Sequence, residues 1–294
     1  MLLNSFILLA GLGLLAAIML TVASKFFYVQ EDPRVARVLD ALPGANCGGC
    51  GYAGCEGYAI AVVNEPAIPA SLCCAGGPDV TAKVGELTGK AVGDSEPQKA
   101  FRRCEKIEGN VAQRFEYSGI DTCSAAARLD DGETACSYAC LGYGDCLRVC
   151  QFNALVMVNG MPQVLGVNCT GCGNCIKACP RNIMQLVPKR VRVMVHCSTQ
   201  DKLKAVTDVC GVGCISCMKC VKTCPAKALS LIGNRIEVDQ AACLAYGDAC
   251  REACVESCPR NILRRQFEPQ RDESELTANP VEAPVAETAP QAQA

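Results

Sequence analysis

The chain begins with an unbroken apolar stretch. No charged residue occurs from Phe6 to Ala23, where most residues are Leu, Ile, Ala, Val or Gly. Eighteen residues of helix extend about 27 Å, which is close to the hydrocarbon thickness of a bilayer. A cleaved signal peptide would need basic residues before this stretch, and none is present. We therefore predict a transmembrane anchor over residues 1–25, ahead of the two alternatives of a signal peptide and a buried core helix.

The charges next to the anchor predict its orientation. Lys25, Arg34 and Arg37 follow the apolar stretch, whereas no basic side chain precedes it. Positive charge next to a membrane span stays on the cytoplasmic side. We therefore expect a single-pass protein of the inner (cytoplasmic) membrane whose remaining chain lies in the reducing cytoplasm.

Beyond the anchor, the apolar runs are short. Those at 154–158, 183–187, 228–232 and 262–263 have the length of short strands, whereas the apolar stretch from Cys55 through Val63 is typical of a helix. After Arg265 the sequence is rich in Pro, Ala, Glu and Gln without apolar periodicity. This pattern predicts an α+β fold that ends in a disordered acidic tail over residues 266–294.

Cysteine is the unusual feature of the composition, with 25 residues in 294 beside one histidine and no tryptophan. Disulfides, zinc and iron–sulfur clusters are the common explanations. Disulfides suit secreted chains, and an odd number of cysteines leaves one unpaired. Zinc sites usually contain separated Cys pairs, often with histidine, whereas the pairs here run into longer strings. Iron–sulfur clusters are the favoured interpretation, and we expect His196 to be an ordinary core or surface residue.

Two strings match the bacterial ferredoxin motif C-x2-C-x2-C-x3-C-P. The cysteines of these strings are Cys169, Cys172, Cys175 and Cys179, and then Cys214, Cys217, Cys220 and Cys224. In this motif the first three thiolates bind one [4Fe–4S] cluster and the fourth reaches the other cluster of the pair. The identical spacing of both strings predicts an internal repeat of two double-cluster modules.

Each string has a partner with wider early gaps, which we interpret as a longer loop around its cluster. The partner cysteines are Cys136, Cys140, Cys146 and Cys150, and then Cys243, Cys250, Cys254 and Cys258. Crossed ligation predicts four sets. They are Cys136, Cys140 and Cys146 with Cys179; Cys169, Cys172 and Cys175 with Cys150; Cys214, Cys217 and Cys220 with Cys258; and Cys243, Cys250 and Cys254 with Cys224.

A further group lies near the amino terminus. Cys47, Cys50 and Cys55 are interspersed with glycines that let the backbone wrap closely around a cluster, and the fourth ligand is Cys73 or Cys74, with Cys73 preferred. A zinc knuckle is the alternative. These groups predict about five [4Fe–4S] clusters. The remaining cysteines, Cys74, Cys104, Cys123, Cys197 and Cys210, are interpreted as small buried hydrophobes; four of them would suffice for a sixth cluster, but their spacing gives no support.

The charge distribution is uneven. From Cys136 to Arg265 there are 16 Lys and Arg against 8 Asp and Glu. Such a surplus first suggests nucleic-acid binding. About four clusters in this region would however contribute a charge of roughly −8. We therefore expect the basic residues to offset cluster charge and to bind an acidic redox partner, and we expect no nucleic-acid partner.

The predicted organisation follows from these observations. It consists of the anchor at 1–25, a small cysteine-rich Fe–S domain at 31–91, a connector at 92–133, a first ferredoxin-like module at 134–187, a linker at 188–213, a second module at 214–265 and the tail at 266–294.

The order of these motifs resembles a known family. Residues 42–55 read Leu-Pro-Gly-Ala-Asn-Cys-Gly-Gly-Cys-Gly-Tyr-Ala-Gly-Cys, and residues 136–146 read Cys-Ser-Tyr-Ala-Cys-Leu-Gly-Tyr-Gly-Asp-Cys. With the anchor and the string at 169–180, they resemble the B component of the Rnf complex, in its longer variety with a second double-cluster module. The resemblance extends to about Leu263. Cys73-Cys74-Ala-Gly-Gly departs from the family's usual Cys-Pro-x-Gly-Gly, which affects only the choice of fourth ligand.

The resemblance implies a role in a membrane-bound ferredoxin:NAD⁺ oxidoreductase that moves Na⁺ or H⁺. The B component of that complex passes electrons between soluble ferredoxin and the other redox subunits, which hold the flavin and NAD sites. Two other classes stay open: the subunit at which electrons enter another membrane dehydrogenase or reductase, and a non-conducting iron–sulfur sensor or scaffold. Because no catalytic side-chain arrangement is present in the sequence, we expect the chemistry to reside in the cofactors.

Overall fold

A computed structural model of the chain describes residues 2–27, 32–93, 96–106 and 109–265. The predicted tail at 266–294 lies outside these ranges. Helix α1, Leu2–Phe26, contains the predicted anchor. Its segment Ile7–Phe26 is long and apolar enough to cross a membrane, and none of it is buried against the rest of the protein.

Three helices and one short turn form the amino-terminal domain. They are α2 (Pro33–Ala41), α3 (Cys55–Asn64), the 3-10 turn Ala70–Leu72 and α4 (Gly77–Thr88). Asp32 begins α2 by accepting a hydrogen bond from the backbone N–H of Arg34 at 2.8 Å. Val38, Tyr58 and Val62 fill the core between these helices, so that the cysteine-rich loop before α3 is held against a rigid base.

The first ferredoxin-like module combines short helices with two antiparallel strand pairs. The helices are α5 (Cys123–Arg128), α6 (Asp145–Arg148) and α7 (Asn174–Ala178). Strands β2 (Leu155–Val158) and β3 (Met161–Val164) form a hairpin, and β1 (Gln98–Arg102) pairs with β4 (Met184–Pro188). Strand β1 lies within residues 92–133, for which the sequence predicts a connector. It joins the sheet because Ala100 and Phe101 bury their side chains there.

The residues that the sequence assigns to a second module have a similar arrangement. Its helices are α9 (Lys219–Thr223), α10 (Gln240–Tyr246) and α11 (Ala253–Glu256). Strands β6 (Leu229–Ile232) and β7 (Arg235–Val238) form its hairpin, while β5 (Val193–Val195) pairs with β8 (Leu263–Arg265). Helix α8 (Leu203–Val209) follows β5 in the predicted linker. The strands predicted from the short apolar runs are confirmed in β2, β4, β6 and β8, and the helix predicted after Cys55 is confirmed in α3.

Candidate iron–sulfur sites

All 25 cysteines lie in the described part of the chain, and all are free thiols. Four or five of them line each of four separate cavities. Within the described residues, no three His, Cys, Asp or Glu side chains converge on a point where a single metal ion would bind. In a zinc site, thiolates at about 2.3 Å from the metal would lie within about 4 Å of one another. In a cubane cluster, by contrast, each iron takes one cysteine.

Group A lies in the amino-terminal domain. Cys47, Cys50, Cys55, Cys73 and Cys74 all line its cavity. Burial raises the pKa of the Cys73 thiol, and the neighbouring thiolates Cys55, Cys50 and Cys47 raise it further, so Cys73 faces all three. Burial raises the pKa of Cys74 to about 11, with Cys47 and Cys172 as its next neighbours. Group A is defined as Cys47, Cys50, Cys55 and Cys73, and Cys74 lines the same cavity beside Cys73.

The loop of group A depends on Asn46. Its side-chain Oδ1 accepts a hydrogen bond from the backbone N–H of Cys55 at 2.8 Å. Gly54 sits beside it with a φ of +115°, and a Cβ there would lie 2.9 Å from that same oxygen. Only glycine fits this conformation and this space. The sequence Gly-Cys at 54–55 thus turns the chain sharply from the loop into α3.

Group B is one half of the first module and contains Cys150, Cys169, Cys172 and Cys175. Cys150, Cys169 and Cys175 pack in one apolar cluster. Burial raises the pKa of Cys175 to about 12, and the neighbouring thiolates Cys169, Cys172 and Cys150 raise it further. The backbone N–H of Ala100 donates to Cys169 Sγ at 3.2 Å, and that of Ala154 donates to Cys150 Sγ at 3.3 Å. Amide donors of this kind stabilise thiolate charge and help to set a cluster's potential.

Group C is the other half of the first module. Cys140, Cys146 and Cys179 line one cavity, as the spacing predicts, but the fourth cysteine in that cavity is Cys123. The carboxylate of Asp145 holds Cys123 there by accepting from its backbone N–H at 3.0 Å. Because Asp145 directly precedes Cys146, this contact ties the start of α5 to the cluster loop. We define group C as Cys123, Cys140, Cys146 and Cys179.

Cys136, which the spacing assigns to that set, lies in another cavity. The guanidinium of Arg181 holds the backbone there by donating from Nη1 to the carbonyl of Cys136 at 2.9 Å and to Thr134 Oγ1 at 2.6 Å. Cys136 lines this cavity together with Cys104, Cys197 and Cys210. These four residues are called group D. No spacing rule links them, so sequence reasoning missed both this group and the place of Cys123.

The cysteines from 214 onward form the last two groups. Cys214, Cys217, Cys220 and Cys258 line one cavity and form group E. Group F consists of Cys224, Cys243, Cys250 and Cys254. Burial raises the pKa of Cys254 to about 11, and the neighbouring thiolates Cys224, Cys243 and Cys250 raise it further.

His196 is part of the core. It is 2% exposed, and its Nδ1 lies 2.6 Å from Oε1 of Glu105. Its ring also meets Phe101 edge to face, with ring centroids 4.7 Å apart. The imidazole is therefore held by a carboxylate and an aromatic ring, which agrees with the expected role of an ordinary core residue.

Comparisons with known proteins agree with a cluster-binding chain. An Fe–S cluster family model matches residues 42–74, and a 4Fe–4S dicluster domain model matches residues 168–229. Cysteine-only donor sets of the kind described above fit such clusters, so the chain carries iron–sulfur centres of the [4Fe–4S] type.

Similar proteins cover most of the chain. The B component of the ion-translocating oxidoreductase complex of Methanosarcina acetivorans is 42% identical over 263 residues, which is 89% of this chain and 97% of that protein. The B component of the proton-translocating ferredoxin:NAD(+) oxidoreductase complex of Clostridium ljungdahlii is 41% identical, over 86% of this chain and 88% of that protein. The Na(+)-translocating counterpart of Acetobacterium woodii is 38% identical, over 89% and 77% respectively. The chain therefore belongs to the family formed by the B components of the ion-translocating, Rnf-type oxidoreductase complexes.

Proposed function

We propose that this chain carries electrons between soluble ferredoxin and the other subunits of a membrane-bound, ion-translocating ferredoxin:NAD⁺ oxidoreductase. The observation that carries the proposal is the sequence of cysteine groups A, B, C, E and F, which begins beside the anchor and ends in the module furthest from it along the chain. Each group would hold one [4Fe–4S] cluster through its four thiolates. A cluster supplies one-electron redox chemistry, and the protein supplies its position.

Groups A and B are neighbours across a domain contact. The side-chain amide of Asn174, which lies beside Cys175 in sequence, donates to the carbonyl of Cys47 at 2.8 Å. Gly49 lies so close to Cys172 that a Cβ added to the glycine would be 2.9 Å from the Cβ of Cys172. The loops of groups A and B therefore touch at Gly49 and Cys172. A short distance between two clusters favours electron tunnelling.

The groups within each module are joined by crossed cysteines. Cys179 belongs in sequence to the string of group B but lies in group C, and Cys150 does the reverse. Cys224 and Cys258 connect groups E and F in the same way. Each module thus offers a short through-bond connection between its two sites.

The proposed ferredoxin-docking face is the exposed side of α9. Among the 25 cysteines, Cys217 is the exposed one. Met218 beside it is 39% exposed, and the side chains of Lys219 and Lys222 are exposed on the same helix. The exposed lysines next to the exposed cysteine fit an acidic redox partner, because complementary charges speed the encounter of two proteins and orient them.

The membrane side of the proposal rests on charge and on the family. Lys25 at the end of α1, with Arg34 and Arg37 soon after, favours a cytoplasmic location for all cysteine groups. The other subunits of the complex are partners of this chain, and we propose that they hold the flavin and NAD sites. The amino-terminal domain directly follows the anchor, so group A would exchange electrons with those subunits.

The test uses the full chain purified anaerobically in detergent. Iron and acid-labile sulfide are counted per chain, and reduced ferredoxin is mixed with the protein while its visible absorption is followed. We expect iron–sulfur absorption that bleaches on mixing, and a loss of about four irons per chain in Cys169→Ala, where one cluster ligand is removed. Cys74→Ala is the matched control and should keep its iron. A colourless protein rich in zinc, or clusters that reduced ferredoxin leaves oxidised, would overturn the proposal.

A further inference from the structure

Group D lies between the two modules, and its members come from four separate segments. Cys104 follows β1 and Cys197 follows β5, and these two residues form an isolated antiparallel bridge. A second bridge between Val111 and Cys210 brings the end of α8 to the same place. Cys136 enters from the first module. Pairing between the predicted connector and the predicted linker therefore creates this cysteine cluster.

The group is shielded from solvent. Cys104 is 8% exposed, Cys136 9% and Cys210 8%, while Val206 packs beside them in the same apolar core. Burial raises the pKa of Cys136 to about 11, and the nearby thiolates Cys210 and Cys104 contribute to the rise. Four thiols of separate origin thus face one another in an enclosed site.

Three arginines hold the backbone of this site in place. Arg103 Nε donates to the carbonyl of Cys197 at 3.2 Å, Arg181 Nη1 to that of Cys136 at 2.9 Å, and Arg260 Nη2 to that of Cys210 at 2.8 Å. Arg181 and Arg260 occupy equivalent positions, each directly after the Cys-Pro of its module. These cations both fix the cysteine carbonyls and offset the negative charge of a thiolate-bound cluster.

Backbone amides connect group D to one site in each module. The N–H of Cys140, a member of group C, donates to Cys104 Sγ at 3.4 Å. The N–H of Cys214, a member of group E, donates to Cys197 Sγ at 3.3 Å. One side of group D is therefore in hydrogen-bond contact with the first module and the opposite side with the second.

We infer that group D binds a further [4Fe–4S] cluster through Cys104, Cys136, Cys197 and Cys210, and that this cluster joins the two modules into one electron path. The inference rests on the proposed function. It places 24 of the 25 cysteines in groups of four and leaves only Cys74 outside them. With ferredoxin docked beside group E, one electron enters from the side of Cys214 and one leaves on the side of Cys140, and no atom or proton is transferred. The reductant is the cluster of the neighbouring module.

The first test counts iron in the unaltered full chain. Six sites predict about 24 irons and as many sulfides, whereas five predict about 20. In Cys210→Ala and Cys104→Ala we expect a loss of about four irons each, with the EPR signals of the remaining clusters retained. Thr81→Ala is the control, because it alters a buried side chain of α4 that lies in none of the cysteine groups.

The second test measures electron flow in the assembled complex. In Cys210→Ala, ferredoxin-linked electron transfer should fall by about tenfold or more, because the modules keep their clusters but lose the site between them. About 20 irons in the unaltered chain, zinc at group D, or disulfides among its four cysteines would overturn the inference. If Cys169→Ala loses iron while Cys210→Ala does not, the proposed function stands and group D alone fails.

Discussion

The side-chain amide of Asn174 donates a hydrogen bond to the carbonyl oxygen of Cys47, 127 residues earlier in the chain, at 2.8 Å. This bond joins the amino-terminal domain to the first ferredoxin-like module where the cysteine loops of groups A and B meet. Gly49 lies in the same contact, against the backbone of Cys172. The domain that carries the membrane anchor is thus positioned by the cluster loop of its neighbour.

The first prediction concerns this contact. Replacing Gly49 by valine should separate groups A and B, because even a Cβ would lie 3.0 Å from the carbonyl oxygen of Cys172. Iron content should stay unchanged while electron transfer from the modules to group A slows severalfold, as followed by stopped-flow absorption. Gly93→Ala is the control, since a Cβ there meets nothing within 4 Å. Equal rates in both variants would mean that this contact does not set the separation of the clusters.

The second prediction concerns the fourth ligand of group C. Cys123→Ala should lose about four irons per chain, because no other cysteine lines that cavity with Cys140, Cys146 and Cys179. Asp145→Ala should weaken retention of the same cluster, since the carboxylate accepts from the backbone N–H groups of Cys123 and Ser124. Iron analysis and the rate of iron release to a chelator measure both effects. Full iron retention in Cys123→Ala would mean that Cys136 is the fourth ligand of this cluster, as the spacing predicts.

The third prediction concerns ferredoxin docking. Reversing the charge of Lys219 and Lys222 together should lower the association rate with ferredoxin by roughly tenfold at low salt, because favourable steering becomes repulsion. The difference should shrink at high salt, where charges are screened. Lys83→Glu, on the exposed side of α4, is the control for the single variant Lys219→Glu, because it makes the same charge change away from the proposed face. Salt-independent kinetics in the unaltered protein would exclude electrostatic docking.

The fourth prediction concerns a buried ion pair between the modules. Arg103 Nη1 lies 2.8 Å from Glu237, with the arginine side chain 3% exposed and the glutamate 25%. Arg103→Ala should destabilise the fold by about 3 kcal/mol, since it removes one partner of a largely buried pair. Arg190→Ala breaks the exposed pair with Glu96 and should cost about 0–1 kcal/mol. Denaturant unfolding under anaerobic conditions compares the two variants.

The fifth prediction concerns removal of iron. Cysteines form much of the packed interior of both modules, including Cys146, Cys169 and Cys175 in one core and Cys220 and Cys254 in another. Chelation should therefore unfold the modules, because cluster binding and folding are coupled. Helices α2 to α4 pack through apolar side chains of their own and should stay protected. Hydrogen exchange before and after chelation would show this difference, and uniform protection would contradict it.

Local sequence patterns predicted the parts of this fold that local geometry determines. The strings at 169–179 and 214–224 have fixed spacing because one tight loop must aim three thiolates at one cluster, and the sets of groups B, E and F follow from that spacing. The short apolar runs predicted four strands for a similar reason, since alternating burial needs only neighbouring residues.

Group D and the place of Cys123 could not be predicted in this way. Cys104 meets Cys197 through an antiparallel bridge between segments that lie 93 residues apart in the chain. Cys123 reaches group C through a carboxylate 22 residues later. Such contacts are determined by packing between distant segments. An isolated cysteine, outside any CxxC motif, does not indicate in the sequence which other cysteines it will contact. The charge surplus between Cys136 and Arg265 gave one indirect sign, because Arg181 and Arg260 are directed at the backbone of group D.

The pairing of β5 with β8 has a consequence for how the protein is made. Strand β5 (Val193–Val195) can pair only after β8 (Leu263–Arg265) has been synthesised. The second module can therefore finish folding only after nearly all described residues have left the ribosome. Maturation by the cell's cluster-insertion machinery would then begin near the membrane and finish at the distal end. Nascent chains halted before residue 263 would expose the loops of groups E and F to premature oxidation.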